Sequence, residues 1–172
     1  RDEKDEIARV IGSFRFAARL SARGGDPESL VRSIEGPVEF TARDGRIYQW
    51  PLLSKVLTVL NVTNVVRGKF PDFREAGLPY KKMTIHGEYK GKVLRLKEGT
   101  LNGPTIGIAA TGQVDLGTSE ADLKMLVAPF RTADWIIRKI PLVRHVMKRT
   151  LVSVPFTVTG NYRDPSVSFD PV

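Results

Sequence analysis

The sequence predicts an α+β, β-dominated fold: a curved antiparallel meander sheet with about three short amphipathic helices packed on it. Three observations point there. Apolar residues alternate with polar or small ones through most of the second half of the chain. The alternating runs are separated by turn residues only a few positions apart, too short for the crossovers that parallel strands need. A smaller set of segments repeats its apolar residues at helical spacing instead.

The alternation is clearest in Thr105–Leu116. Ile106, Ile108, Ala110, Gly112, Val114 and Leu116 fall on one side, and Thr105, Gly107, Ala109, Thr111, Gln113 and Asp115 on the other. Successive side chains of a strand point to opposite faces, so this segment has one apolar and one mainly polar or small face. Leu123, Met125 and Val127 continue the pattern after a turn at Gly117–Glu120. Val152, Val154, Phe156 and Val158 repeat it, and Val167 and Phe169 follow an Asp164-Pro165 turn. Met83, Ile85 and Tyr89 mark a further strand, joined by the Lys90-Gly91 turn to another at Leu94 and Leu96.

The first half is mixed. Asp26-Pro27-Glu28 is a helix start, with an N-cap acid, proline at the first helical position and an acid in the first turn. Leu30, Val31 and Ile34 follow at helical spacing, and Gly36-Pro37 is expected to end the helix. Val38, Phe40 and Ala42 then alternate into a turn expected at Asp44-Gly45, with Ile47-Tyr48 opening the return strand. Pro51 begins a second helix, with Leu52, Leu53, Val56, Leu57 and Leu60 on one side. Arg9–Arg23 satisfies both periods. The reading adopted is helix or coil through Val10 and strand from Ser13, with Phe14, Phe16, Ala18 and Leu20 opposite Arg15, Arg19 and Arg23. A third helical region spans 131–150, where Ile136, Ile137 and Ile140 share a side and Pro141 divides it in two.

The 172 residues suit one domain, and no repeat, low-complexity tract or linker divides them. Hydrophobic residues make up 41%, enough for a core and too many for a disordered chain. No run approaches the roughly 18–20 apolar residues of a membrane span. The chain starts at Arg1 without a signal-peptide pattern and reads as excised from a longer protein. Absence of cysteine removes disulfides, iron–sulfur clusters, thiolate zinc sites and a cysteine nucleophile. The net charge of +8 suits nucleic acid, an anionic membrane or simple solubility.

A search for catalytic chemistry finds little. His86 and His145 have no partners at metal-ligand spacing, and no serine or glycine cluster matches a nucleophile elbow, phosphate loop or dinucleotide fingerprint. Asp115, Glu120 and Asp122 fall on an expected hairpin tip, where carboxylates are normally solvated. The reading is therefore non-enzymatic, with no cofactor and no metal. Nucleic-acid binding is set aside because Phe14, Phe16, Phe40, Phe156 and Phe169 lie in the apolar register of their strands and read as core. The basic element at 131–149 is more suggestive. Trp135, Arg138, Lys139, Arg144, Lys148 and Arg149 combine an aromatic boundary with a basic polar face, as an interfacial helix does. The alternative is a helix packed on the sheet by its isoleucines with its charges solvated.

Several segments in order carry a family resemblance. They include Ile34-Glu35-Gly36-Pro37-Val38-Glu39-Phe40, Pro51-Leu52-Leu53-Ser54-Lys55-Val56-Leu57 and Gly77-Leu78-Pro79-Tyr80. Gly112-Gln113-Val114-Asp115-Leu116, Val127-Ala128-Pro129-Phe130, Ile140-Pro141-Leu142 and Val158-Thr159-Gly160 follow. Over residues 13–170 the chain resembles the C-terminal region of AsmA-like proteins of Gram-negative bacteria, relatives of the TamB type. That resemblance implies a periplasmic domain of an inner-membrane-anchored protein, built as a β-sheet groove that carries phospholipid towards the outer membrane and supports envelope integrity. On this reading the lipid contacts would come from the apolar face, at Ile106, Ile108, Val114, Leu123, Met125, Val154, Phe156 and Val158. A different outcome is that the helices at 27–35, 51–61 and 132–149 close that face. The domain would then dock on a membrane surface or an envelope protein through its basic helix without carrying lipid.

Overall fold

The computed structural model describes residues 9–48, 50–62, 76–129 and 153–170. The described residues form one open antiparallel sheet of eight strands in sequence order, with two helices. The strands are β1 (Arg9–Ala18), β2 (Glu35–Tyr48), β3 (Leu78–Lys90), β4 (Val93–Asn102), β5 (Ile106–Asp115), β6 (Glu120–Pro129), β7 (Val154–Asn161) and β8 (Ser166–Phe169). Helix α1 (Pro27–Arg32) lies between β1 and β2, and α2 (Pro51–Val62) between β2 and β3. Every strand pairs only with its neighbours in the sequence, which is the expected meander.

Local chemistry explains most boundaries. Asp26 caps α1: its carboxylate accepts from the Ser29 N–H at 2.9 Å, and the Ser29 hydroxyl accepts from the Asp26 N–H at 3.2 Å. This reciprocal arrangement satisfies two donors left over at the helix start. The Ser29 N–H and hydroxyl bonds hold the Asp26 carboxyl below its ordinary range. The β5–β6 turn is fixed by Asp115, whose Oδ1 accepts from the N–H groups of Gly117 at 2.7 Å and Thr118 at 3.0 Å. Lys55 of α2 donates to Asp164 and to the Pro165 carbonyl, each at 2.6 Å, tying α2 to the turn between β7 and β8.

Three local expectations are corrected. The segment expected to turn at Asp44-Gly45 is continuous, with β2 running fourteen residues through it. Asp44 takes a left-handed φ of 50°, and the extra residue is absorbed as a bulge: Ile11 pairs with Arg46, but Ser13 pairs with Arg43. β1 begins at Arg9 rather than Ser13, because Arg9 and Val10 already pair with Tyr48 and Ile47. α1 ends at Arg32, well before Gly36-Pro37, and those two residues already belong to β2. The third helical region lies outside the described residues.

Tyr80 explains why glycine stands at positions 12 and 45. Its side chain, 2% exposed, crosses Gly45 and Gly12 to donate a hydrogen bond to the Ile11 carbonyl at 2.9 Å. A Cβ at either glycine would collide with the Tyr80 hydroxyl, so the lack of a side chain there opens the path. One buried phenol thereby fastens β3 to β1 across the intervening strand.

Candidate functional site

Cross-strand pairing shows how the apolar face is assembled, because residues directly opposite in a ladder share a face. One row crosses all eight strands: Phe16, Phe40, Ile85, Gly99, Ala110, Met125, Phe156 and Phe169. The row on one side of it runs Phe14, Ala42, Met83, Leu101, Ile108, Val127 and Val154. The row on the other side runs Ala18, Val38, Gly87, Leu96, Gly112, Leu123, Val158 and Val167. No polar side chain interrupts the three rows. The opposite face differs: Pro37, Glu88, Arg95, Gln113, Asp122, Thr159 and Ser166 form one of its rows.

The apolar face is deeply buried over β5–β7 and most exposed at β1, with Ala42 and Leu101 buried between them and Phe169 of β8 42% exposed. Met125, Phe156, Val127 and Val158 are 4% exposed or less, in one cluster with Leu52, Leu53 and Val56 of α2. Moving towards β1, Phe40, Met83, Ile85 and Leu96 are half-buried. Phe14 and Phe16 at the end are 53% and 69% exposed. Phe14 stacks on Phe40 with ring centroids 5.9 Å apart, so the aromatic surface continues inward from the edge.

The residues proposed from sequence as lipid contacts do come together on this face. Ile106, Ile108, Leu123, Met125, Val154, Phe156 and Val158 are buried, however, and only Val114 is half-buried. They belong to the deeply buried part, where the protein itself occupies the space an acyl chain would need. The exposed end was missed because Phe14 and Phe16 read as core. Their strand register is apolar as expected, but β1 ends the sheet of described residues and pairs there with β2 alone. Register tells which face a residue takes, not whether that part of the face is covered. The basic-helix residues Trp135, Arg138, Lys139, Arg144, Lys148 and Arg149 lie outside the described residues.

The remaining candidates have structural roles or stand in solvent. Asp115 is held below the usual carboxylate range by the Thr118 and Gly117 N–H groups and serves its turn. Glu120 and Asp122 are exposed, as is His86. Glu88 is lowered by its hydrogen bond and charge attraction with Lys97, 2.8 Å away, and Glu35 likewise by Lys90. Both pairs are solvent-facing. Among the described residues no group of three or more His, Cys, Asp or Glu side chains is placed to hold a metal ion. No described helix is long and apolar enough to cross a membrane. Comparison with protein-family models, curated proteins and solved structures finds no match to this chain.

Proposed function

We propose that this chain is a non-enzymatic β-groove domain of an AsmA-like periplasmic protein, anchored in the inner membrane and serving phospholipid transport between the inner and outer membranes. The observation that supports this reading is the uninterrupted apolar face, exposed at Phe14 and Phe16 and half-buried at Phe40, Met83, Ile85 and Leu96. An acyl chain lying across Phe16, Phe40 and Ile85 would leave water for an apolar surface, gaining about 0.8 kcal/mol for each methylene buried. The deeply buried part over β5–β7 would serve as the rigid support of the exposed part rather than as the lipid surface.

The test is native mass spectrometry with lipid extraction on the purified protein, beside a variant carrying Phe14→Glu and Phe16→Glu. Both side chains are exposed, so the variant is expected to keep its sheet by circular dichroism. The expected result is phospholipid on the wild type and its loss in the variant. A wild type that carries no lipid, from a membrane-containing extract, would refute the proposal. That outcome would favour the docking alternative, which the burial of the β5–β8 candidates already supports. Binding to anionic vesicles without extraction of lipid would then be its signature.

A further inference from the structure

Among the described residues no strand pairs with the outer side of β1, and the hydrogen-bonding pattern of that edge can be read from the ladder beside it. Ser21 and Glu35 exchange both backbone hydrogen bonds, at 2.8 and 2.9 Å, and the Arg19 N–H donates to the Pro37 carbonyl at 3.1 Å. Along an antiparallel strand the bonding direction alternates from residue to residue. Ser13, Arg15 and Ala17 therefore bond inward to β2, while Phe14, Phe16 and Ala18 turn their N–H and C=O groups outward.

Such edges are normally guarded by proline, by shortness, by charges pointing inward or by a covering element. β1 runs ten residues without proline, no other described strand pairs with its outer side, and its Phe14 and Phe16 are exposed. Its charge has a single sign. Arg9 and Arg15 lie within the strand, Arg19 and Arg23 follow it, and no acid occurs between 9 and 23. Arg15 and Arg19 are exposed, and neither has an ion-pair partner among the described residues. Alternation sends the phenylalanines to one face and Arg15 to the other.

We propose that β1 is a docking edge for an extended segment of a partner protein in which apolar side chains alternate with acidic ones. The partner's backbone would complete the ladder at Phe14, Phe16 and Ala18. Its apolar side chains would extend the phenylalanine surface, and its acids would meet Arg15 on the opposite face. A second copy of this chain fits less well, because β1 offers no acid to answer the arginines of another β1. This edge is independent of the lipid reading, which concerns the face of the sheet and not its outer hydrogen bonds.

The test uses labelled octapeptides, blocked at both ends, in fluorescence anisotropy. One alternates Val and Glu, a second has the same composition as a Val block and a Glu block, and a third alternates Val and Lys. The alternating acidic peptide is expected to bind at least about tenfold tighter than the other two. Ala18→Pro removes one outward N–H and leaves the inward ladder and both phenylalanines in place. It is expected to lower that affinity about tenfold. Arg15→Glu is expected to shift preference to the Val/Lys peptide, and circular dichroism checks that each variant keeps its sheet. Equal binding of the block peptide would reduce the effect to net charge and overturn the proposal. Wild-type affinity in a folded Ala18→Pro variant would overturn it too. A dimer in light scattering that Ala18→Pro converts to monomer would assign the edge to self-pairing instead.

Discussion

Replacing Tyr80 by phenylalanine removes one oxygen and tests the cross-strand fastening directly. The phenol is 2% exposed, and its 2.9 Å bond reaches the Ile11 carbonyl over two glycines. A net hydrogen bond is worth about 0.5–1.5 kcal/mol, and a carbonyl that loses its donor adds a desolvation cost, so Tyr80→Phe should destabilise the protein by about 1–2 kcal/mol at neutral pH. At this chain length that corresponds to a Tm lower by roughly 2–8 °C. Burial, and then the charge of Asp44, raise the Tyr80 pKa above its ordinary value of 10.0. A raised folded value means that above the unfolded value the unfolded chain holds fewer protons than the native one. The Tyr80 contribution is therefore fully present below about pH 10 and is lost as pH rises through the folded value. Urea unfolding of both proteins by circular dichroism, from pH 7 to 11, should show a gap at neutral pH that narrows in alkali. Lysines and the other tyrosines titrate in both proteins and cancel in the difference. A gap that stays constant to pH 11, or none at pH 7, would refute the role given to this phenol.

Two further outcomes concern the core and the opposite face. Phe156→Ala, at 1% exposure in the deeply buried part, should cost about 3–5 kcal/mol in urea unfolding. A cost under 1 kcal/mol would show that this part is looser than described. Thr84 and Thr100 are buried and share a 2.5 Å hydroxyl contact. Either one changed to valine should cost about 1–3 kcal/mol by leaving its partner unpaired, while the double change should be close to neutral. A double-mutant cycle measures that coupling, and strictly additive costs would dismiss it.

The sheet was legible because the alternation of Ile106 to Val114 or Val154 to Val158 depends on strand geometry alone. The same holds for the α1 start, where Asp26, Pro27 and Ser29 act within a single turn. What the pattern hid was anything set by distant residues. Asp44-Gly45 looks like a turn in isolation, but it lies within β2 at a bulge, and its glycine leaves room for Tyr80, thirty-five positions later. Phe16 and Phe156 share a row and look equivalent in sequence. One is 69% exposed and the other 1%, and they differ in position: β1 is an edge of the described sheet and β7 lies inside it. The candidates drawn from the alternation therefore share one face, while their burial, seven buried and Val114 half-buried, was not legible.

The strictly sequential strand order also makes length a free variable of this architecture. Among the described residues no strand is inserted between two others and no ladder closes on itself, so each strand owes its pairing only to the ones before and after it. A hairpin added at either end would prolong every apolar row by two residues without altering the pairing of any existing strand. A closed barrel cannot grow this way, because its diameter and stagger change with each strand added. The same economy leaves an unfinished side on each terminal strand of such a sheet, and in the described sheet those strands are β1 and β8.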